Sequence, residues 1–445
     1  MNNQKSKSYL ALLSLSMLSC VHAATDSALL DLLVSNNVIT SEQAGTIETT
    51  ESGLIDPALL SLLVSNGAIT QEQAFGLKNT TQSAPATAPL APAPAAEQPS
   101  FIVKAKDKAV DSITISGRIH AQMDYLSTDY GNAASPDDEL NLFLRRLYLG
   151  VSADIGPKVT GSLTATFGSN ADGDGKLEKA LVSFKLSDQH KLDLGFQKTP
   201  FGIEETTSSS KIPAVERSIA TRYFTEQLDY GARHTGITLH GNYDSGVSFS
   251  LALTNPSQGV VASGSENDEI AIWARTSWAG EVSGAHLELG ANGGWIPDQR
   301  VDGSTDLVWG VFARTQFEAL RFDFEYLSGV FENATASGDA KPQALYLTSV
   351  FNLNPSINLV GRVSFLDADG GVGADISSTM RRAPENGAAL FDTAEAYYIG
   401  ADWLIKGNSI KLSFGYEWAN YSDNLTGSQG DATINSVRSR LQLLF

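Results

Sequence analysis

One stretch of this 445-residue chain carries Lys198, Glu204, Lys211, Glu216, Arg217 and Arg222. Both charge signs are present, but no thiol and no imidazole stands among them. Such a set attracts, orients or repels a charged solute; it carries no nucleophile or metal chemistry. His120, His190, His234, His240 and His286 are scattered on separate segments with no metal-ligand spacing. No Gly-x-Ser-x-Gly elbow and no phosphate-cradling Gly-Lys-Ser/Thr loop occurs. The one partial metal motif is Asn170-Ala-Asp172-Gly-Asp174-Gly175. Its twelfth position is Leu181 where a calcium loop needs a bidentate Glu, so an acidic hairpin loop is the preferred reading.

The elements around the charged run have a period of two. Ile113, Ile115, Ile119, Ala121, Met123 and Tyr125 alternate with Thr114, Ser116, Arg118, His120, Gln122 and Asp124. One face apolar and one face ionisable suits a wall between lipid and water. The pattern recurs in sixteen segments, starting near 113, 142, 158, 177, 190, 233, 246, 269, 285, 306, 320, 343, 356, 395, 409 and 434. Their connections alternate strictly between short turns and long stretches rich in Gly, Asp, Asn and Ser. The long ones are 127–140, 168–176, 199–229, 255–268, 293–305, 329–342, 367–393 and 420–433. Short periplasmic turns and long external loops alternate in this way in outer-membrane barrels. Trp278, Trp295, Trp309, Trp403 and Trp418 fall toward segment ends, where amphipathic rings favour a membrane interface. The expected fold is all-β: a transmembrane, sixteen-stranded antiparallel β-barrel over 112–445, multi-pass in the outer membrane of a Gram-negative-type bacterium.

Upstream the composition changes. Lys5 and Lys7, an apolar run Tyr9–Leu18 and small residues at Val21-His22-Ala23 predict a signal peptide over 1–23. Two ~30-residue Leu-rich units follow in 24–81: Ala28-Leu-Leu-Asp-Leu-Leu-Val-Ser-Asn-Asn and Ala58-Leu-Leu-Ser-Leu-Leu-Val-Ser-Asn-Gly. Each reads as a pair of short helices, either packed on its copy or meeting a periplasmic or cell-wall partner. A Pro/Ala-rich linker over 82–111 separates them from the barrel.

Gly195-Phe-Gln-Lys198-Thr-Pro200-Phe201-Gly-Ile-Glu204 is followed by Thr207-Ser208-Ser209 and by Glu216-Arg217. Together with Ser116-Gly-Arg118, Arg145-Arg146 and Gly400-Ala-Asp-Trp403, this pattern resembles the phosphate-selective porin O and P family over roughly 112–445. The order Phe196-Gln197 is the reverse of the family's, and the helical units lie outside the resemblance. The resemblance implies a sixteen-stranded barrel, usually a homotrimer, passing small anionic solutes such as phosphate.

Segment phase carries the same expectation. The net charge is −19, and −21 once 1–23 is removed. That disfavours a nucleic-acid binder. Twelve basic residues nevertheless take inward phase, among them Arg118, Arg146, Arg275, Arg314, Arg362 and Arg440, against eight acids. Arg145 breaks the alternation, which predicts a bulge. Folding loop 199–229 inward would place Lys198, Glu204, Lys211, Glu216, Arg217 and Arg222 near a constriction. The chain is thus expected to be an anion-preferring diffusion channel, no enzyme, in contact with outer-membrane lipid and needing no cofactor. The alternatives are a structural tether or adhesin built on the helical units, and a barrel hydrolase, for which no outward His–Ser pair shares a strand.

Overall fold

The computed structural model describes residues 101–104, 110–131, 136–168, 174–259, 269–297, 299, 303–384, 389–426 and 430–445. The first half of the sheet runs β1 (Phe101–Lys104), β2 (Ser112–Tyr130), β3 (Asp137–Ile155), β4 (Val159–Thr166), β5 (Lys176–Lys185), β6 (His190–Lys198), β7 (Arg233–Asn242), β8 (Val247–Thr254) and β9 (Ala271–Val282). The second half runs β10 (Ala285–Ile296), β11 (Asp306–Phe317), β12 (Leu320–Thr335), β13 (Gly338–Ala340), β14 (Gln343–Asn354), β15 (Ile357–Asp367), β16 (Ala374–Asp375), β17 (Leu390–Asn408), β18 (Ile410–Asn424) and β19 (Ala432–Leu444). Sixteen of these are staves of a barrel; β1, β13 and β16 are short additions.

Each stave pairs antiparallel with the next, and β19 pairs back onto β2 from Leu444↔Arg118 to Ala432↔Tyr130. The sheet therefore closes, and every stave has a stave on each side, as hydrocarbon requires. Alternation sorts the side chains. Leu163, Ile237, Leu251, Val311 and Phe414 face out and are 43–53% exposed, while Asp124, Arg362, Glu417 and Arg438 face in and are buried. Among the described residues no helix is long and apolar enough to cross a membrane.

The expected segment starts agree with the staves to within a few residues. The largest differences are β3 and β17, which begin five residues earlier than the alternation suggested. The loops expected at 127–140 and 367–393 are correspondingly shorter, and the β2–β3 ladder continues to Thr128↔Asp137. Beyond the lipid both faces of a strand meet water, so Asp137, Asp138 and Glu139 can sit in a ladder without any apolar alternation. Lys158, one of the twelve basic residues counted as inward by phase, lies instead in the β3–β4 turn. Trp273 faces inward and is fully buried, unlike the outward Trp278, Trp295, Trp309 and Trp403.

Two glycines of the motifs have steric causes. Gly195 holds φ +136°, and a Cβ there would lie 2.2 Å from the carbonyl oxygen of Ala180 on β5. A Cβ on Gly117 would lie 2.1 Å from Phe445 Cζ, whose ring fills the space over that glycine. Gly117 and Phe445 also exchange backbone hydrogen bonds at 2.6 and 3.1 Å. Below that point β19 has ended, and β1 takes its place along Ser112–Ile115 of β2. Phe101–Lys104, inside the linker expected over 82–111, is thus a strand. The signal peptide, the helical units and the rest of the spacer lie outside the described residues.

Candidate functional site

The segment between β6 and β7, residues 199–232, folds into the barrel. Phe201, Ile203, Ile212, Val215, Ile219, Tyr223 and Phe224 are at most 1% exposed. The motif supplies the turn: Pro200 fixes φ, and Gly202 (φ +74°) opens a one-turn helix α1 (Ile203–Thr206). A second one-turn helix, α2 (Ile219–Arg222), is N-capped by Ser218, which accepts from Thr221 N, and continues as a π-helical turn Tyr223–Gln227.

Polar contacts suspend this loop from the wall. On β12, Glu325 accepts from Ile203 N at 2.6 Å. Arg275 donates to Thr206 Oγ1 at 2.8 Å and Arg314 to Thr207 Oγ1 at 2.5 Å. Arg118 donates to Ser209 and Ser208 at 2.6 and 3.0 Å. The Thr207-Ser208-Ser209 run is therefore a row of acceptors for wall guanidinium groups. Farther along, Arg440 donates to Val215 O at 2.5 Å and Tyr398 OH accepts from Val215 N at 3.3 Å.

Carboxylates of the loop meet wall cations. Glu216 pairs with Arg145 at 2.7 and 3.2 Å and with Arg222, and it accepts from Gln122 at 3.0 Å. Glu204 accepts from Ser218 N and Oγ at 3.0 and 2.9 Å and from Arg362 at 3.3 Å. Arg362 also bonds Glu417 at 2.7 Å and Glu216 O at 2.8 Å. Arg217 pairs with Glu205 at 3.0 Å, and Lys198 meets the same carboxylate. Burial would push the Glu216 carboxyl up, but Arg145 and Arg222 outweigh it and hold it well below the usual range. Burial likewise lowers Arg217, yet Glu205 leaves it raised overall.

The sequence-derived residues thus separate into two groups. Arg146, Glu204, Glu216, Arg217, Arg222, Arg362 and Arg440 are buried, whereas Arg118, Lys198, Lys211, Arg275 and Arg314 are half-exposed. Arg146 sits on β3 directly across from His120 on β2. The irregularity expected at Arg145 is present: His120 pairs with Arg146 and Ala121 with Leu144, leaving Arg145 as the extra residue. The bulge turns its side chain to the lumen, where it reaches Glu216. Sequence phase alone gave Arg145 no partner.

A second inward segment had no signal beyond loop composition. Residues 368–384, inside the loop expected at 367–393, bury Ile376 and Met380 and form a π-helical turn Ser377–Arg381. This segment seats on the first loop. Arg222 donates to Ser378 O at 3.3 Å, Gln227 to Gly373 O at 2.7 Å, and Tyr223 OH to Val372 O. Glu226 bridges Arg222 and Arg381. Of the half calcium motif, Asn170 and Asp172 lie outside the described residues. Among the described residues no group of three His, Cys, Asp or Glu side chains could hold a metal ion.

A closed sixteen-stave barrel with lipid-facing apolar side chains and an inward charged loop defines an outer-membrane porin channel. The family model for phosphate-selective porin O and P matches residues 113–302, which bears out the resemblance carried by the Gly195–Arg217 motif. No curated protein matches the chain. Among solved structures it is similar to an anion-selective porin from Comamonas acidovorans, at 11% identity and TM-score 0.53 over 74% of this chain and 99% of that one. It is similar to OprB of Pseudomonas putida at 13% identity and TM-score 0.53, over 76% and 95%. It is also similar to Salmonella typhi OmpF in complex with daunomycin, at 14% and 0.50, over 78% and 100%. At these identities the shared property is the fold.

Proposed function

We propose that the barrel is a passive diffusion channel for small hydrophilic solutes that prefers anions, phosphate-like ones included, and that loop 199–229 forms its constriction. The observation that carries this reading is the loop itself, held across the lumen by wall cations on both sides. A sixteen-stave barrel without such a loop encloses a wide aqueous lumen. In the narrowed, low-dielectric passage, nearby fixed charges weigh more than the acidic outer loops, which salt screens within about 8–10 Å. Solutes meet Arg118, Lys198, Lys211, Arg275 and Arg314, while the buried Arg146, Glu204, Glu216, Arg217, Arg222, Arg362 and Arg440 shape and fix the loop. The Comamonas relative's description as anion-selective supports the sign. A homotrimer follows from the family resemblance alone, and the role is transport without catalysis or cofactor.

The test is reconstitution in a planar bilayer with a salt gradient. Stepwise conductance with a reversal potential toward chloride is expected. A barrel that inserts without conducting, or that is clearly cation-selective, overturns the reading.

A further inference from the structure

The constriction is lopsided. Beneath the two inward loops, the inner face of β15, β18, β19 and β2 is sealed: Ser364, Ser413, Ser436, Arg440, Gln442 and His120 are at most 1% exposed. The polar anchors of loop 199–232 fall on β2, β3, β6, β7, β9–β12, β15 and β17–β19, and none falls on β4 or β5 among the described residues. Across the lumen, the inward side chains of β4 and β5 remain half-exposed, Thr160, Ser162, Thr164 and Thr166 on one and Lys179 and Ser183 on the other. Register places Thr164 beside Lys179 and Thr160 beside Ser183 on one face. The open side of the lumen is a strip of hydroxyls, with Leu181 opposite Ser162 and one lysine beside Thr164.

That lysine differs from the cations around it. On β6 and β7 the half-exposed or exposed basic groups have carboxylate partners: Lys198 with Glu205, Arg233 with Glu178, and Lys191 with Asp193 at 2.9 Å. On β9 and β11, Arg275 and Arg314 share Glu288 at 3.7 and 3.9 Å. Among the described residues Lys179 has no ion-pair partner. A paired charge presents a dipole to a passing ion; an unpaired one presents a full monopole with a longer-reaching field.

Resting on the channel reading above, we infer that solutes pass along the β4–β5 strip and that Lys179 sets the charge preference of the passage. The buried arginines of the sealed side, Arg362 and Arg440, hold the loop in place and do not meet the solute. A diffusing anion exchanges part of its hydration shell for the hydroxyl groups of β4 and the ammonium of Lys179, while a cation meets an ammonium that no carboxylate pairs directly among the described residues.

Two measurements on the full chain test this. Reversal potentials are compared for the unmodified channel, Lys179→Gln, Lys179→Glu and Lys341→Glu, the last making the same charge change in the β13–β14 connection. The anion-to-cation permeability ratio is expected to fall several-fold with Lys179→Glu, less with Lys179→Gln, and to stay nearly unchanged with Lys341→Glu. The chain has a single Cys, at position 20, so introduced thiols can be addressed selectively. A bulky water-soluble thiol reagent should reduce current through Thr164→Cys and leave Ser364→Cys unaffected, with heat-modifiability confirming a folded barrel in each. Equal shifts for Lys179→Glu and Lys341→Glu, or block at Ser364→Cys but not at Thr164→Cys, overturn the inference while leaving the channel reading intact. An unmodified barrel without conductance overturns the channel reading itself.

Discussion

Glu216 shows how a single buried carboxylate can hold a loop in a lumen. It neutralises Arg145 from the wall and Arg222 from the loop, and all three are at most 5% exposed. Removing the charge takes a buried carboxylate partner from both guanidinium groups, a loss on the order of 3–5 kcal/mol for a buried pair. Glu216→Gln is therefore expected to unhook the loop, raise single-channel conductance and lower the temperature at which the folded barrel is lost. Unchanged conductance in a folded Glu216→Gln barrel would contradict that. At the C-terminal end, Gly117→Val sets a branched side chain into the space of the Phe445 ring, and heat-resistant barrel on unheated gels is expected to fall sharply. Gly117→Ala should be milder, since one methyl displaces the ring less. The motif residues were legible in the sequence because their types are unusual: Pro200, the hydroxyl run, Glu216-Arg217. Their partners were not. Arg145 meets Glu216 across 71 positions and Arg362 meets Glu204 across 158, and a period-two pattern says which face a residue takes but not what crosses the lumen to meet it.

At the scale of elements, the two inward segments act as one body through the Arg222–Glu226–Arg381 bridge and the backbone bonds of Gln227. Burial alone would raise the Glu226 carboxyl, but Arg222 and Arg381 bring it from 4.5 down to about 2. A carboxyl depressed by folding contributes stability that is complete above its unfolded value and disappears as pH falls through its folded one. The bridge should hold unchanged at neutral pH and weaken from about pH 4.5 toward pH 2, seen as rising conductance or current noise on acidification. Glu226→Gln should show that behaviour already at pH 7; a flat acid response in the unmodified channel would refute the coupling. Asp229 runs the other way. Burial, with Glu226 nearby, raises it from 3.8 to about 6, so its contribution declines as pH rises through that interval. Strands were legible because alternation and turn chemistry are local. The segment 368–384 was not, because its buried Ile376 and Met380 follow no period and acquire their environment only from another loop.

For the whole molecule, closure and the alternation of short and long connections could be read from sequence, since lipid permits few other β architectures. Where the lumen stays open could not, because it depends on which way a loop leans. The N-terminal helical units make a separate expectation. Read as helices of about ten residues, these units would be marginal alone in water and their Leu faces would need a partner, so deleting 24–99 should leave barrel insertion and conductance intact while weakening oligomers or envelope attachment. Loss of the folded barrel on that deletion would refute a tethered module. The seam between β19 and β2 bears on how fast the barrel forms. Every other stave pair joins near neighbours in sequence, but Arg438 and Asp124 meet across 314 positions. Bringing such distant points together costs about 3 kcal/mol more in chain entropy than closing a roughly ten-residue hairpin. The curled sheet must therefore assemble as an open ribbon before its two edges meet, and that meeting is the slow step that a worker timing the folding reaction should find sensitive to Gly117 and Phe445.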